Sequence, residues 1–189
     1  PVPWALGFYF VFTVIRLYLA IKRRLPHSMI ALSVVIDMTV LLVTIWSFHL
    51  QYDQPPGLSL KAPTLLYIFI LIALRTLRFE ARYVLFAGAT AIIGWLILLG
   101  YAIIKSPSDN VITRDYVRYI TSTDILIGGE VDKILSILAV TVVLAVALAR
   151  ARHILVRSVA EHAAVSDLSR FFAPDVAARI TASETLVRA

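Results

Sequence analysis

The sequence contains five long apolar runs, and these limit the chain to a small set of folds. They cover about residues 4–21, 28–50, 60–79, 82–104 and 132–155. A helix needs roughly 20 apolar residues to cross the hydrocarbon core of a bilayer, and each run meets or approaches that length. Hydrophobic residues make up 60% of the 189-residue chain, which is more than one soluble core of this size can bury. The sequence therefore predicts an all-α, polytopic membrane bundle over residues 1–155.

The third run is the shortest in its purely apolar part, which extends only from Pro63 to Leu74. Long basic side chains at a helix end can keep their charge at the headgroups while their stems cover apolar surface. We therefore expect the third helix to cover residues 60–79, with Arg75 and Arg78 reaching toward the membrane surface.

Charged residues are distributed unevenly, and this pattern predicts the orientation in the membrane. The first and third connections and the segment after the fifth run are basic, whereas the second and fourth connections carry both signs. The basic residues are Lys22, Arg23, Arg24, Arg75, Arg78, Arg82, Arg150, Arg152 and Arg157. By the positive-inside rule we expect a multi-pass protein of a bacterial inner membrane with a cytoplasmic C-terminus. The net charge of +6 is then a topology signal, and we predict no nucleic-acid partner.

The first residues bear on the number of helices. Five crossings that end in the cytoplasm place Pro1 outside, and Pro1-Val2-Pro3-Trp4 offers neither a start methionine nor a cleavable signal. We therefore expect a sixth helix upstream of Pro1.

Motifs of soluble enzymes are missing from the sequence. The chain has no cysteine, and it contains no P-loop, GxGxxG or HExxH pattern. Gly128-Gly129 reads as a turn before the fifth helix. The sequence predicts no catalytic, cofactor-binding or metal-binding residue in this chain.

Two ionisable residues lie deep inside the predicted helices. Asp37 is about nine residues into the second run and Arg16 about six from the end of the first, so a rise of 1.5 Å per residue places them at overlapping depths. We expect them to pair, either as a packing contact between helices or in a sensing or proton-linked role. His49, at the far end of the second run, is a candidate for an outer-face site or for capping its helix.

The fourth connection, Lys105 to Lys133, is longer than most structureless loops. Its residues Asp115 to Ile120 favour a short interfacial helix with tyrosines at headgroup depth. We expect this connection to be ordered, either as a lid on the membrane surface or as part of a binding site.

The last run predicts a helix that continues beyond the membrane. No glycine or proline interrupts residues 134–172. An apolar stripe with spacings of three and four follows the membrane segment, formed by Leu155, Val159, His162, Val165, Leu168 and Phe172. The stripe favours a parallel two-stranded coiled coil and hence a homodimer, although its spacing is irregular and its seam contains a histidine. The alternative is an amphipathic helix that lies on a following domain of its own chain.

The segment from Leu168 to Ile180, Leu-Ser-Arg-Phe-Phe-Ala-Pro-Asp-Val-Ala-Ala-Arg-Ile, supports a family resemblance. It resembles the stretch just before the catalytic domain of bacterial class III adenylate/guanylate cyclases with six-helix membrane anchors, which commonly read L-S-R-[FY]-[FL]-x-P-x-[VL]. Four upstream phrases look like the membrane region of the same proteins: Pro55-Pro56-Gly57, Lys61-Ala62-Pro63-Thr64, Leu74 to Glu80, and Asp115-Tyr116-Val117.

The resemblance implies an intact protein that converts ATP to cyclic AMP and diphosphate at the interface of two catalytic domains, with Mg²⁺ or Mn²⁺. The metal-binding and purine-selecting residues of that family have no counterpart in this chain. Residues 156–189 would form a signalling helix and a pre-catalytic linker that orients the two catalytic domains. The residues that match the pre-catalytic element are Arg170, Phe171, Phe172, Pro174 and Asp175.

Two other functions remain open from the sequence. The chain could anchor a different dimeric output domain, such as a histidine kinase. A transporter is disfavoured because the sequence shows no inverted repeat and only two deep charges. If the chain anchors a cyclase or another output domain as a receptor, an unidentified lipophilic or outer-face ligand would act on the helical bundle.

Overall fold

The computed structural model describes residues 2–22, 27–106 and 111–171, without the side chains of residues 2–6, 20, 27 and 164–171. Six α-helices follow one another: α1 (Val2–Ile21), α2 (His27–Gln51), α3 (Tyr67–Thr76), α4 (Ala81–Lys105), α5 (Tyr116–Thr121) and α6 (Ile127–Phe171). The chain divides into two units, Pro1–Val146 and Ala147–Ala189. The prediction of an all-helical chain is confirmed for the described residues, which contain one isolated β-bridge and no strand.

Among the described residues, three helices are long and apolar enough to cross a membrane. They are Ser28–Gln51, Ala81–Lys105 and Ile127–Ala163. Gly7–Leu19 and Pro63–Thr76 are shorter apolar helical segments within the described residues. These apolar helices are consistent with a membrane protein whose surface contacts lipid.

The third run is not one helix over residues 60–79. It consists of two 3₁₀ helices, Pro56–Lys61 and Pro63–Leu66, followed by the ten-residue α3. Proline explains the division, since it lacks an N–H donor and disfavours the α conformation in the residue before it. Ala62, directly before Pro63, is extended with ψ of 130°.

The core of the first unit lies between α2 and α4. Val34, Met38 and Ile45 of α2 are fully buried, as are Val84 and Trp95 of α4. Their spacings of four, seven and eleven residues place them on one face of each helix. Both helices therefore have a face that is buried within the unit and a face that is free to contact lipid.

Glycines allow α4 to approach its neighbours closely. A Cβ atom on Gly88 would lie 2.2 Å from Oγ1 of Thr141 in α6, and a Cβ atom on Gly94 would lie 2.1 Å from a δ carbon of Leu42 in α2. Small residues at such positions let the backbones of membrane helices pack at short range. These two glycines therefore determine how closely α4 packs against α6 and α2.

The connections before α3 and after α4 form an ordered cap at one end of the first unit, which we call the capped end (residues 52–66 and 111–126). Ile112 and Ile125 form a parallel bridge, and a Cβ atom on Gly57 would lie 2.2 Å from the carbonyl oxygen of Thr123. The short helix predicted near Asp115 is confirmed as α5, with the Asp115 side chain accepting hydrogen bonds from the N–H groups of Val117 and Arg118.

The last helix begins earlier than the sequence predicts. The prediction of a loop turn at Gly128-Gly129 is wrong. Both glycines lie in the first helical turn of α6, which starts at Ile127. The N–H of Glu130 donates to the carbonyl oxygen of Leu126, which closes that turn. Glycine in a helix interior costs about 1 kcal/mol relative to alanine. Here the glycines are in the first turn, and the next residue, Glu130, is held by hydrogen bonds from Trp95 and Lys133.

The second unit contains the remainder of α6. Arg157 and Glu161 form an exposed ion pair one helical turn apart, with Nε and Oε1 separated by 2.9 Å. Leu155 and Val159 are 54% and 61% exposed.

Candidate functional site

A buried carboxylate joins three helices at the end of the first unit opposite the capped end. Nη1 of Arg16, in α1, lies 3.0 Å from Oδ2 of Asp37, in α2. Arg75, in the last turn of α3, donates from Nη2 to the same oxygen. Arg16 also donates to Oγ of Ser33 at 2.6 Å. We call these four residues the Asp37 junction.

The sequence prediction that Arg16 and Asp37 pair agrees with this geometry, but sequence reasoning missed Ser33 and Arg75. Ser33 lies one helical turn before Asp37 on the same face, which is a signal that could have identified it. In the sequence Arg75 reads only as part of the basic topology pattern, because no helical spacing links a residue of the third run to one of the second.

The charged side chains of the Asp37 junction are largely buried, which makes their pairing important for the stability of the fold. The side chain of Asp37 is 3% exposed, that of Arg75 is 11% exposed and that of Arg16 is 33% exposed. A buried charge without a partner costs several kcal/mol, so the carboxylate depends on its arginines. The Tyr9 hydroxyl also lies close to Asp37. The arrangement holds the ends of α1 and α3 against α2.

A cavity of about 310 Å³ opens beside the Asp37 junction. Its polar lining comes from Thr13, Arg16, Ser33, Arg75 and Arg78. Arg78 follows α3 in a turn where the N–H of Phe79 donates to the carbonyl oxygen of Thr76. No group of three or more His, Asp or Glu residues in the described part of the chain lies close enough to hold a metal ion.

A second buried ion pair lies near the capped end. Glu130, in the first turn of α6, is 1% exposed. Its Oε1 lies 2.6 Å from Nζ of Lys133, and its Oε2 accepts a hydrogen bond of 3.0 Å from the indole N–H of Trp95 in α4. Lys133 also donates to the carbonyl oxygen of Leu60. Both carboxylate oxygens of Glu130 have hydrogen-bond partners, and the pair connects α6 to α4 and to the first 3₁₀ helix.

Lys61 holds the two connections of the capped end together. Its ammonium group donates to the carbonyl oxygens of Tyr119 and Ser122. Burial lowers the pKa of Lys61 below its usual value of 10.5, although the negative charge of Asp124 acts in the opposite direction. Because the folded state disfavours the charged form, the contribution of Lys61 to stability rises with pH between the lowered pKa and 10.5.

Tyr119 titrates with the opposite consequence. Burial raises its pKa above 10.0, and the charge of Glu130 adds to the increase. The folded state therefore holds the phenol proton more strongly than the unfolded chain does, so the contribution of Tyr119 to stability falls as the pH rises above 10.0.

His49 is buried inside the bundle. Its Nδ1 lies in hydrogen-bonding contact with the carbonyl oxygen of Trp46, one turn earlier, and its Nε2 lies 3.3 Å from the hydroxyl of Tyr101. The residue as a whole is 7% exposed. Both ring nitrogens have partners within the protein, so the geometry fits a contact that joins α2 to α4.

An apolar groove of about 230 Å³ lies between α2 and α4. Trp46, Leu42, Gly94 and Ile97 contribute to its walls. It is the kind of surface that an acyl chain or another lipophilic molecule can fill.

The residues predicted to transmit a signal fall partly within the described chain. Leu155, Val159 and His162 are exposed on α6, and Leu168, Arg170 and Phe171 belong to the last turns of the same helix. Phe172, Pro174 and Asp175 lie outside the described residues.

Comparison with known proteins adds no relative. No protein-family model matches the chain, and neither a curated protein nor a solved structure matches it significantly. In its described residues the chain is α-helical, with three helices long and apolar enough to cross a membrane and with a buried carboxylate paired with two arginines.

Proposed function

We propose that this chain is the membrane-anchoring, dimerising and regulatory region of a class III adenylate cyclase in a bacterial inner membrane. The intact enzyme would make cyclic AMP and diphosphate from ATP, with Mg²⁺ or Mn²⁺ bound in a catalytic domain that follows these residues. The proposal rests on the resemblance of the segment from Leu168 onward to the pre-catalytic stretch of that family.

The structural observation that supports the proposal is the length and continuity of α6. It extends for 45 residues, from Ile127 to Phe171, and so includes both an apolar membrane segment and the first four residues of the resembling phrase. A helix without a break can pass a rotation or shift of its membrane part to whatever follows it.

The exposed stripe of α6 supports the dimer in this proposal. Leu155 and Val159 occupy one face of the helix, separated by one turn, and both are largely exposed in the single chain. Pairing two such stripes in parallel would bury them and bring the two C-terminal ends together. That arrangement suits an output whose active sites form between two copies.

Regulation would arise from helix packing in the first unit. A ligand can shift an equilibrium between two packings only if it binds one of them more tightly. The apolar groove between α2 and α4 and the cavity beside the Asp37 junction are both places where bound molecules would touch more than one helix. A lipophilic ligand or an outer-face ligand acting on these helices would reach the output through α6.

Cyclic AMP synthesis tests the proposal. Membranes containing the full-length gene product are compared with membranes containing residues 1–189 alone, with ATP and Mn²⁺ supplied to both. The proposal predicts cyclic AMP only from the full-length product. If neither membrane makes cyclic AMP, the chain anchors a different output, such as a histidine kinase, and the proposal is wrong.

A further inference from the structure

The cavity beside the Asp37 junction carries more positive charge than its surroundings neutralise. Arg16, Arg75 and Arg78 line it, and Asp37 is the one carboxylate that pairs with any of them in the described part of the chain. Arg78 contacts the ring of Tyr83 at 5.9 Å but has no acidic partner among the described residues. Two positive charges are therefore left without a counter-charge.

Arg75, which lines this cavity, also has an unused hydrogen-bond donor. Nε of Arg75 is buried and has no hydrogen-bond partner in the described structure. A guanidinium group offers five N–H donors in a fixed plane, which matches the oxygens of a phosphate group. Because one carboxylate oxygen of Asp37 accepts hydrogen bonds from both Arg16 and Arg75, it holds two guanidinium groups in place before any ligand arrives.

The rest of the lining is apolar. Leu17, Met29 and Ile30 complete the cavity wall. A site with arginines on one side and aliphatic side chains on the other suits a molecule that has an anionic group attached to a hydrocarbon part.

The position of the cavity in the bundle agrees with such a ligand. Arg16 lies in the last two turns of α1, Met29 in the first turn of α2, and Arg78 just after α3. The cavity therefore lies toward the ends of these helices, and the ends of membrane-spanning helices are where lipid headgroups are found.

We propose that this cavity is a binding site for a phosphate ester, with Arg75 and Arg78 as its principal ligand-binding residues and Arg16 as a third. The phosphate can belong to an anionic lipid headgroup or to a small soluble molecule, and the chemistry of recognition is the same for both. A ligand there would touch α1, α2 and α3 together. The site does not depend on which output domain follows the chain.

Lipid binding measured by native mass spectrometry tests the site. The protein is purified in a neutral detergent and titrated with phosphatidylglycerol and with phosphatidylcholine of identical acyl chains. We expect the anionic lipid to bind about tenfold more tightly, which is the effect of one or two charge-assisted hydrogen bonds. Inorganic phosphate and glycerol 3-phosphate are added as competitors in separate titrations.

Two variants make the test specific. Arg78→Gln removes an exposed arginine of the cavity, so the fold is retained, and we expect it to weaken phosphatidylglycerol binding about fivefold or more. Arg82→Gln is the control. It removes the same positive charge from a residue that lies four positions later in the sequence and does not line the cavity. Its affinity should stay within about twofold of that of the unmodified protein.

The results distinguish a soluble ligand, a lipid ligand and the absence of a specific site. Competition by inorganic phosphate or glycerol 3-phosphate supports the site and identifies a soluble phosphate ester as a ligand, whereas selective lipid binding without competition supports it with the lipid as the ligand. Equal binding of the two lipids together with no effect of the soluble phosphates would overturn the proposal. Equal losses in Arg78→Gln and Arg82→Gln would overturn it too, because they would show a general attraction between charges.

Discussion

Asp37 is the residue on which the packing of three helices depends. Its carboxylate accepts from Arg16 and Arg75 while only 3% of its side chain is exposed. Removing one member of a buried ion pair costs more than the pair contributes, because the remaining charge stays buried without a partner. The same reasoning applies to Glu130, which is as deeply buried near the capped end.

Asp37→Asn should therefore be strongly destabilising. Both arginines lose their counter-charge, and we expect a loss of about 3 kcal/mol in the free energy of unfolding. The measurement is an SDS titration in mixed micelles followed by tryptophan fluorescence. Asp132→Asn, at an exposed position of α6, is the control and should change the stability by less than about 0.5 kcal/mol. If the two variants are equally stable, the Asp37 junction does not hold the helices together.

Lys133→Met and Glu130→Gln test the second buried pair by a double-mutant cycle. Lys133→Met alone leaves the Glu130 carboxylate buried without its cation, which should cost about 3 kcal/mol. The double variant has no buried charge, and its amide oxygen can still accept from Trp95, so it should be more stable than Lys133→Met by about 1 kcal/mol or more. Strictly additive effects in the same SDS titration would contradict the assignment of an ion pair.

The Asp37 junction could be predicted from the sequence only in part. Arg16 and Asp37 stand out because a charge inside an apolar run is conspicuous, and helix geometry gives the depth of each. Arg75 does not stand out, because it lies at the end of its run among other arginines. Only the tertiary packing of α3 against α2 shows that it reaches Asp37. The sequence also does not predict the buried pair of Glu130 and Lys133. Gly128-Gly129 suggests a loop at a place where α6 has already begun.

At the scale of the elements, α4 occupies the centre of the first unit. Its buried face alternates large side chains such as Trp95 with small ones such as Ala87, Gly88 and Ala91. The small residues permit close contact with α6, where Thr141 faces Gly88. Packing in membranes relies on such fits because lipid supplies no hydrophobic driving force between helices.

A glycine-to-alanine series along α4 should give graded effects. Gly88→Ala places a methyl group against the short side chain of Thr141, and we expect a loss of about 2 kcal/mol. Gly94→Ala meets only the flexible end of Leu42 and should cost less. Gly100→Ala has nothing within 4 Å, so it should be neutral or stabilising by up to about 1 kcal/mol. Equal effects of all three on thermal unfolding in detergent would show that these contacts do not determine the packing of α4.

The elements themselves differ in how well the sequence predicts them. The runs that became α2 and α4 are uninterrupted and long, so hydropathy locates them within one or two residues. The third run fails as a single helix because Pro63 interrupts it and holds Ala62 in an extended conformation, which a hydropathy pattern does not reveal. α5 was predictable because Asp115 caps a short segment, which is a local signal.

At the scale of the whole molecule, the proposed function requires two copies of the chain to meet through α6. The chain has no cysteine, so single introduced cysteines report contacts between copies without a background reaction. Val159 lies on the exposed apolar stripe, and Arg157 lies two residues earlier, roughly on the opposite face of the helix.

Oxidative cross-linking in membranes should therefore depend on the face of α6. We expect Val159→Cys to form a disulfide-linked dimer several times faster than Arg157→Cys, because a disulfide requires Cα atoms within about 7 Å. Similar, slow cross-linking at both positions would favour the alternative in which the stripe packs on a domain of its own chain.

Transmission of a signal through α6 is tested by the rate of cyclic AMP synthesis by the full-length product after insertions into this helix. Two or seven helix-forming residues are inserted after Leu155. Two residues rotate the following helix by about 200°, whereas seven return it to within about 20° of its original direction. We predict that the two-residue insertion changes the rate about fivefold or more and that the seven-residue insertion leaves it within about twofold. Rates unaffected by either insertion would contradict transmission through α6.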